Sequence, residues 1–516
     1  MKRWLVLLLW LPLIGVGVAR ETSIETLYRT YCAECHGPGR LGAMGPALLP
    51  ENLHRLKRDR AAEVIRHGRP ASQMPAFADK LDDVQVTALV DYIYTPLSRV
   101  LEWGMAQIRG SHKVLVDEAA LPAHPVHDAD PMNLFVVVEL GDHHATILDG
   151  DRFQPIHRLK THYAVHGGPK YSPDGRFVYF SSRDGWISRF DMWSLQVTAE
   201  VRAGINTRNL AVSADGRYVM VANYLPHSLV LLDAHDLSPI RVIPVAGDDG
   251  TTSRVSAVYD APPRHSFIAA LKDISEVWEI CYAEGSLPVY NGPMHDYPLG
   301  EGLARADGRF PVRRIRLHDY LDDFFFDPAY RLLIGASRDG GKGQVIQLDL
   351  GRKIADLALD GMPHLGSGIT WMYQGRPVLA TPNLRKGEVT VIDMRDWQVI
   401  KRIRTNGPGF FMRSHENTPY AWVDVFFGPH RDEVHIIDKR TLEVVRTLRP
   451  VSGRTAAHVE FDKDGRHALL SIWDHDGAVI VYDAATFEEV KRLPMVKPSG
   501  KYNVHNKITR SAGTSH

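Results

Sequence analysis

Two cysteines and a histidine lie close together near the start of the chain, in the order Cys32-Ala33-Glu34-Cys35-His36. Two thiols at this spacing can add to the vinyl groups of a haem, and the histidine that follows can bind its iron. The pattern is specific for covalent haem attachment. We therefore predict one covalent haem c, attached to Cys32 and Cys35, with His36 as an axial ligand of the iron.

A second axial ligand has to come from a loop that returns across the haem. Met74 is the first choice, because a thioether ligand raises the haem potential and Pro75, which follows it, restricts the loop. Met44 and His67 are the competing candidates. The sequence favours Met74 without excluding the other two.

The segments around this motif predict a small helical domain. Residues 24 to 31 can form a helix that leads into the motif, and residues 82 to 94 carry apolar side chains at helical spacing. Those side chains are Val86, Leu89, Val90 and Ile93. Residues 22 to 97 therefore resemble a small monohaem class I cytochrome c.

The N-terminus and the overall charge restrict where the protein works and what it binds. The basic start, the apolar run from Trp4 to Ile14 and the small residues up to Ala19 are typical of a signal peptide over residues 1 to 19. We expect export to the periplasm and no membrane span in the mature chain. Lys and Arg total 61, as do Asp and Glu, so the chain lacks the positive charge typical of nucleic-acid binding proteins.

From about residue 130 onwards, short strand-like runs recur, and many of them end in an aspartate. These aspartates are Asp149, Asp191, Asp233, Asp349, Asp393, Asp438 and Asp483. Most lie roughly 40 to 50 residues apart, a repeat length typical of β-propeller blades. One longer interval holds a further unit and an insertion from about residue 281 to 310. The predicted fold is thus α plus all-β: the cytochrome, a linker over 98–129, and an eight-bladed propeller over 130–510.

Several segments resemble the cytochrome cd1 nitrite reductase family over nearly the whole chain. They are Tyr163-Ala164-Val165-His166, Ile205-Asn206-Thr207-Arg208, Phe410-Phe411-Met412-Arg413-Ser414-His415 and the stretch from Pro498 to Asn506. The resemblance implies that the propeller binds haem d1 without a covalent bond, with His166 as an axial ligand of its iron. It also places Arg183, Arg208 and Arg254 around the haem d1 carboxylates, and guanidinium groups suit that role.

The chain departs from the nitrite reductases at two positions. Those enzymes hold two histidines over the haem d1 iron, whereas the matching stretches here, residues 320–324 and 368–373, contain none. The nearest histidines, His318 and His364, are displaced. Without these proton donors an efficient nitrite reductase is not expected. The sequence is most similar to the NirN-type branch, the dihydro-haem d1 dehydrogenases of haem d1 biogenesis.

That branch implies a periplasmic oxidoreductase whose substrate is dihydro-haem d1. The enzyme would convert a propionate side chain to the acrylate of haem d1 and pass electrons to haem c. His415 is the first candidate for the base, with Tyr420, His458 and Asp322 as alternatives. The competing functions are a haem d1 carrier without catalysis and a nitrite reductase. Expected transient partners are a cd1 nitrite reductase and a periplasmic electron acceptor.

Overall fold

The computed structural model describes residues 23–69, 72–99, 101–165, 167–284, 289–290, 305–306, 309–337 and 343–509. The predicted signal peptide and His166 lie outside the described residues. No helix in the described part of the chain is long and apolar enough to cross a membrane.

The N-terminal part is helical, as predicted. Its helices are α1 (Ile24–Tyr31), α2 (Ala33–His36), α3 (Pro50–Leu53), α4 (Arg58–His67) and α5 (Asp83–Ile93). Ser23 caps α1 by accepting a hydrogen bond from the Thr26 amide, and Asp82 and Gln85 form a capping box at the start of α5. The predicted apolar face of α5 is buried against α1 and α4.

Eight antiparallel sheets follow, which confirms the predicted propeller. Blade 1 contains β2 (Leu134–Glu139), β3 (His144–Asp149), β4 (Gln154–Lys160) and β35 (Pro498–Asn503); blade 2 contains β1 (Lys113–Val114), β5 (Lys170–Tyr171), β6 (Phe177–Ser181), β7 (Trp186–Asp191) and β8 (Gln196–Arg202). Blade 3 contains β9 (Asn206–Val212), β10 (Tyr218–Leu225), β11 (Ser228–Asp233) and β12 (Pro239–Pro244); blade 4 contains β13 (Val255–Ala261), β14 (Ser266–Leu271), β15 (Glu276–Cys281) and β18 (Val312–Arg316).

The second half of the ring repeats this pattern. Blade 5 contains β19 (Asp323–Phe326), β20 (Leu332–Ala336), β21 (Gly343–Gln347) and β22 (Arg352–Leu357); blade 6 contains β23 (Ile369–Tyr373), β24 (Arg376–Pro382), β25 (Glu388–Asp393) and β26 (Val399–Arg404). Blade 7 contains β27 (Met412–Ser414), β28 (Tyr420–Asp424), β29 (Val434–Asp438) and β30 (Glu443–Leu448); blade 8 contains β31 (Ala456–Phe461), β32 (His467–Ile472), β33 (Ala478–Asp483) and β34 (Glu489–Pro494). A hairpin of β16 (Val289–Tyr290) and β17 (Arg305–Ala306) lies in the insertion.

The ring closes by pairing the end of the chain with its first propeller strand. Strand β35 pairs with β2, so that Tyr502 lies opposite Val136, and helix α7 (Val504–Thr509) follows. Closure removes the exposed sheet edges that separate blades would have. Several of the repeated aspartates accept backbone hydrogen bonds from the turn that follows the third strand, as Asp393 does from Arg395. They are turn residues, and their repetition follows from the repeated blade.

The linker of residues 98–129 packs against blade 2. Within it, helix α6 (Met105–Ser111) lies on β8, and β1 adds a fifth strand to the same blade. The Trp103 indole donates a hydrogen bond to the Arg202 carbonyl at 3.0 Å. The linker helix α6 therefore lies against the outermost strands of blades 2 and 3.

The cytochrome contacts the loops at one end of the propeller. Ala47 and Leu49 pack with Leu225 in a shared apolar cluster, and the Asn52 side chain donates to the Tyr224 carbonyl at 3.0 Å. Leu225 is the last residue of the second strand of blade 3. The contact therefore lies at that end of the propeller's central channel where the innermost strands begin. We call this end of the propeller the cytochrome end of the channel.

Candidate functional site

The haem-attachment segment is arranged to bind a haem. His36 ends α2 with its side chain largely buried, and its Nδ1 donates a hydrogen bond to the Pro46 carbonyl at 2.8 Å. This bond orients the ring and leaves Nε2 as the nitrogen that can bind iron. Burial lowers the pKa of His36, so the ring is neutral at pH 7, as ligation requires. Gly45 lies so close that a Cβ there would be 2.7 Å from the ring.

The three candidates for the second axial ligand lie in different surroundings. Met74 is partly buried against the helical core of the cytochrome. His67 is mostly exposed at the end of α4, with its Nε2 3.4 Å from the Glu63 carboxylate. The backbone of Met44 lies beside the Tyr163 hydroxyl of the propeller. These positions favour Met74, and its ligation of the iron stays a prediction.

Three of the predicted arginines meet at the cytochrome end of the channel. Arg183 lies in the loop between β6 and β7, Arg208 is in β9, and Arg254 directly precedes β13. The guanidinium carbons of Arg183 and Arg254 lie 5.8 Å and 5.7 Å from the centre of the Tyr224 ring. The structure thus gathers side chains from separate blades around one tyrosine.

Tyr224 is the residue at this site that the sequence did not indicate. It lies near the end of β10 and outside every segment that carries the family resemblance. Burial raises its pKa, but the charges of Lys272, Arg208, Arg183 and Arg254 outweigh that effect and lower its pKa to about 7. No spacing in the sequence places these five side chains together, so only the fold reveals the cluster.

Two carboxylates balance part of this positive charge. Asp273 forms a two-point ion pair with Arg254, with oxygen to nitrogen distances of 2.8 Å and 2.6 Å. Asp322 pairs with Lys272 of the propeller and, at 3.3 Å, with Arg55 of the cytochrome. Among the described residues, five cations thus lie near these two carboxylates, a setting that suits an anionic ligand.

Asp322, one of the alternative bases, joins the two domains. Its carboxylate is buried and engaged by two cations, which stabilise its charged form and make it a weak proton acceptor. Arg55 also donates to the Lys272 carbonyl at 2.5 Å and stacks over the Tyr320 ring at 4.0 Å. These contacts fix the cytochrome over the arginine cluster.

We expect Asp322→Asn to loosen the contact between the cytochrome and the propeller. The change leaves Arg55 and Lys272 without their shared carboxylate, at a cost of about 1–3 kcal/mol. Proteolysis within the linker should become faster, and reduction of haem c by substrate should become several-fold slower. Asp360→Asn is the matched control, because Asp360 forms an exposed ion pair with Lys386. Equal cleavage rates in the two variants would contradict the role of Asp322.

The structure does not bring His415 together with the arginines. His415 directly follows the innermost strand β27, whereas Arg208 and Arg254 lie at the beginnings of innermost strands, at the other end of the channel. Its side chain is 0% exposed, and a Cβ on Gly465 would lie 2.4 Å from its Nδ1. Nδ1 accepts a hydrogen bond from the Asn417 amide at 3.2 Å, so the neutral ring carries its proton on Nε2. For His415 to act as a base through Nδ1, the hydrogen bond from the Asn417 amide would have to break.

The two remaining alternative bases differ in position. Tyr420 packs its ring against Phe487, 4.9 Å away, within the outer part of the propeller. His458 is buried between Phe411 and Tyr502, and burial with nearby cations lowers its pKa well below the ordinary value. Its Nδ1 accepts from the Lys501 amide at 3.4 Å. His458 is thus a neutral histidine held by the backbone.

The structure brings a further histidine, His364, to the cytochrome end of the channel. It lies in the loop before β23, and its Nδ1 donates to the Phe410 carbonyl at 2.6 Å. Its Nε2 lies 3.7 Å from the Asp323 carboxylate. The position of His318 differs, since its side chain is exposed. His364 is therefore a further candidate for the base at this end of the channel, which the spacing of the sequence did not indicate.

His166 itself lies outside the described residues, so its role as an iron ligand stays a prediction. Its neighbours are placed: Val165 forms a bridge with Ser182, and a Cβ on Gly167 would lie 2.5 Å from the Cβ of Asn209. These contacts lie next to Arg183 and Arg208 in the chain. Val165 and Gly167 therefore lie beside the elements that carry Arg183 and Arg208.

The chain combines a cytochrome with a propeller whose channel is lined by cations at the cytochrome end. This combination is that of a two-domain haem protein. Two family models match the chain: "Cytochrome C oxidase, cbb3-type, subunit III" over residues 19–93 and "Cytochrome D1 heme domain" over residues 129–293 and 305–507. The chain belongs to the cytochrome D1 heme domain family. These matches confirm the cytochrome and the resemblance predicted for the propeller.

Individual relatives agree with this assignment. The chain is 56% identical over 514 residues, and over 100% of both chains, to the dihydro-heme d1 dehydrogenase of Pseudomonas aeruginosa. It is 24% identical to the nitrite reductase of Stutzerimonas stutzeri, with 96% of each chain covered. Among solved structures, "Dihydro-heme d1 dehydrogenase NirN in complex with DHE" matches with a TM-score of 0.76 and 57% identity, covering 94% of this chain and 99% of that one.

Proposed function

We propose that this protein is a dihydro-haem d1 dehydrogenase. It would oxidise a propionate side chain of its substrate to an acrylate and pass the electrons to haem c. The observation that carries the proposal is the cluster of Arg183, Arg208 and Arg254, which faces the cytochrome at one end of the channel. The full-length similarity to a dihydro-heme d1 dehydrogenase supports it.

In this proposal the residues of the propeller bind and orient the substrate. Arg183, Arg208 and Arg254 hold the side-chain carboxylates, and His166 binds the iron of the tetrapyrrole. Arg254 is itself oriented by Asp273, which bonds to both its backbone amide and its guanidinium group. Fixed carboxylates would place the reacting side chain in one position relative to the base.

The cytochrome supplies the electron acceptor. The covalent haem, when bound to Cys32, Cys35 and His36, provides a one-electron acceptor. Tyr163 of the propeller links the two domains, because its hydroxyl hydrogen-bonds to the Met44 backbone and its carbonyl accepts from the Arg183 amide at 3.1 Å. A loop of the cytochrome and the arginine cluster are thus joined through a single residue.

The stoichiometry requires a second acceptor. Conversion of the two side-chain methylene groups to a double bond releases two electrons and two protons, whereas one haem c accepts one electron. We propose that a soluble periplasmic electron acceptor takes the second electron in a transient complex, and that the product passes to a cd1 nitrite reductase. The predicted signal peptide supports the periplasmic location, and the similarity to a nitrite reductase supports that partner.

The test is to mix the oxidised protein with dihydro-haem d1 under anaerobic conditions. The haem c absorption and the identity of the extracted tetrapyrrole are then followed together. Reduction of haem c together with formation of the acrylate product is the expected result. Binding without either change would contradict the dehydrogenase and support a carrier. Nitrite reduction by the protein loaded with haem d1 would instead support a nitrite reductase.

The proposed base is His415, with His364 as the candidate that the structure adds. If His415 is the base, His415→Ala should abolish turnover and leave haem d1 binding unchanged, but its position at the end of the channel opposite the arginine cluster favours His364. His364→Ala distinguishes the two, because His364 lies at the cytochrome end of the channel, before β23. Turnover of each variant is measured beside its thermal unfolding midpoint, since His415 is buried. Full turnover by a folded His415→Ala variant would remove His415 from the mechanism.

A further inference from the structure

A loop of the cytochrome, residues 42–46, contacts both the haem-attachment segment and the propeller. On the cytochrome side, the Gly45 amide donates a hydrogen bond to the Cys35 carbonyl at 2.7 Å. The Pro46 carbonyl accepts a hydrogen bond from the Nδ1 of His36 at 2.8 Å. The loop therefore holds the attachment segment by its backbone and the predicted iron ligand by its ring.

The position of this loop determines how the His36 ring is held. A Cβ on Gly45 would lie 2.7 Å from Cε1 and 2.8 Å from Nδ1 of the ring, so the loop backbone packs directly against the imidazole. A hydrogen bond to the second ring nitrogen raises the basicity of a ligating histidine, and a more basic ligand stabilises ferric iron. A shift of the loop that weakens this bond would therefore raise the midpoint potential of haem c.

Two side chains of the propeller fix the loop from the opposite side. The Tyr163 hydroxyl hydrogen-bonds to the Met44 backbone. Asn206, which is buried at the start of β9, donates from Nδ2 to the Ala43 carbonyl in a long hydrogen bond of 3.5 Å. A Cβ on Gly42 would lie 2.8 Å from the Cγ of Asn206, so the loop rests on this side chain. The position of the loop thus depends on the propeller.

The same two residues hold the backbone of Arg183. The Nδ2 of Asn206 also donates to the Arg183 carbonyl at 2.9 Å, and the Tyr163 carbonyl accepts from the Arg183 amide at 3.1 Å. Asn206 uses one side-chain amide for both contacts. Tyr163 uses its hydroxyl for the cytochrome loop and its main-chain carbonyl for Arg183. Because of this difference, substitutions can separate the contact with the loop from the contact with Arg183.

We propose that Tyr163 and Asn206 are positioning residues for His36. They fix the loop of residues 42–46 and so set the hydrogen bond that the Nδ1 of His36 donates to it, which tunes the potential of haem c. The propeller thereby adjusts the electron acceptor of the cytochrome that is docked on it. Asn206 also positions Arg183 for a carboxylate, and this second part rests on the proposed function.

The experiment measures the midpoint potential of haem c by spectroelectrochemical titration of the full-length, haem c-loaded protein without haem d1. Tyr163→Phe removes one oxygen atom and should raise the potential, because a less firmly held loop weakens the bond from the Nδ1 of His36. Asn206→Ala should shift the potential in the same direction. Asn52→Ala is the matched control and should keep the wild-type potential, because Asn52 bonds to the Tyr224 carbonyl of the propeller from α3, outside this loop.

The affinity for haem d1 tests the second part with the same variants. Mature haem d1, which is not turned over, is titrated into each oxidised protein and followed by its absorption. Asn206→Ala should bind haem d1 several-fold more weakly, because the Arg183 carbonyl loses its partner. Tyr163→Phe keeps its main-chain carbonyl and should bind with wild-type affinity. Unchanged affinity in Asn206→Ala would overturn its role towards Arg183.

The outcomes separate this inference from the proposed function. A wild-type potential in folded Tyr163→Phe and Asn206→Ala variants would overturn the positioning of His36 and leave the dehydrogenase intact. An equal shift in Asn52→Ala would also overturn it, because any loosening of the two domains would then have the same effect. A wild-type protein that binds no haem d1 would overturn the proposed function and the role of Asn206 towards Arg183, whereas the measured potentials would still decide the role towards His36.

Discussion

Replacing Cys32 and Cys35 by serine is expected to reduce the oxidation of dihydro-haem d1 by about 10³-fold or more, the scale on which loss of an essential catalytic group acts. Serine cannot form the thioether bonds, so the protein would lack its covalent haem. An electron acceptor in solution cannot replace a haem that is held beside the substrate, because fixed positioning raises the reaction rate by several orders of magnitude. Formation of the acrylate product is the measurement.

The same double variant should still bind haem d1. Arg183, Arg208 and Arg254 belong to the propeller, which closes its ring through β35 and buries its apolar clusters between neighbouring blades, apart from the core of the cytochrome. Cys281→Ser is the matched control, since that thiol lies at the end of β15, far in the chain from the haem motif. Normal turnover in the double variant would show that electrons leave the substrate by a route without haem c.

Replacing Glu460 by glutamine is expected to destabilise the propeller by about 3–5 kcal/mol, the cost of removing one partner from a buried ion pair. Glu460 is 0% exposed, and its carboxylate lies 3.2 Å from the Lys507 ammonium and 4.0 Å from the Arg413 guanidinium. Burial lowers the pKa of Lys507 to about 8 and lowers that of Lys501 well below its ordinary value. Glutamine has nearly the same shape but leaves the Lys507 ammonium and the Arg413 guanidinium without their carboxylate.

The measurement is the urea midpoint of the propeller transition. Glu443→Gln is the control, because Glu443 is 69% exposed and lies 3.6 Å from Lys401, a geometry worth at most about 1 kcal/mol. Adding Lys507→Met to Glu460→Gln should recover part of the loss, because it removes one of the unpaired cations. Equal midpoints for the two single variants would contradict a structural role for this buried cluster. The cluster joins blades 7 and 8 to the closing strand, which explains why its loss should affect the whole ring.

The haem c motif and the number of blades could be predicted from the sequence because each depends on residues that are near in the chain. Cys32, Cys35 and His36 act within one turn of helix, so their spacing alone specifies the chemistry. The blades repeat a local pattern of strands and turns, which the aspartates at the ends of the third strands make visible. The three arginines were predicted from the family resemblance, and the structure places them at one end of the channel.

The tertiary structure alone decided which distant side chains meet. Tyr224 lies among four cations from three blades, and Asp322 pairs with Arg55 of the cytochrome, although nothing in their local sequence indicates it. Conversely, His415 and the arginines carry the same family resemblance but lie on different blades, at opposite ends of the channel. A local pattern specifies strands and turns, whereas the electrostatic environment of a side chain depends on how the closed ring and the docked cytochrome bring blades together.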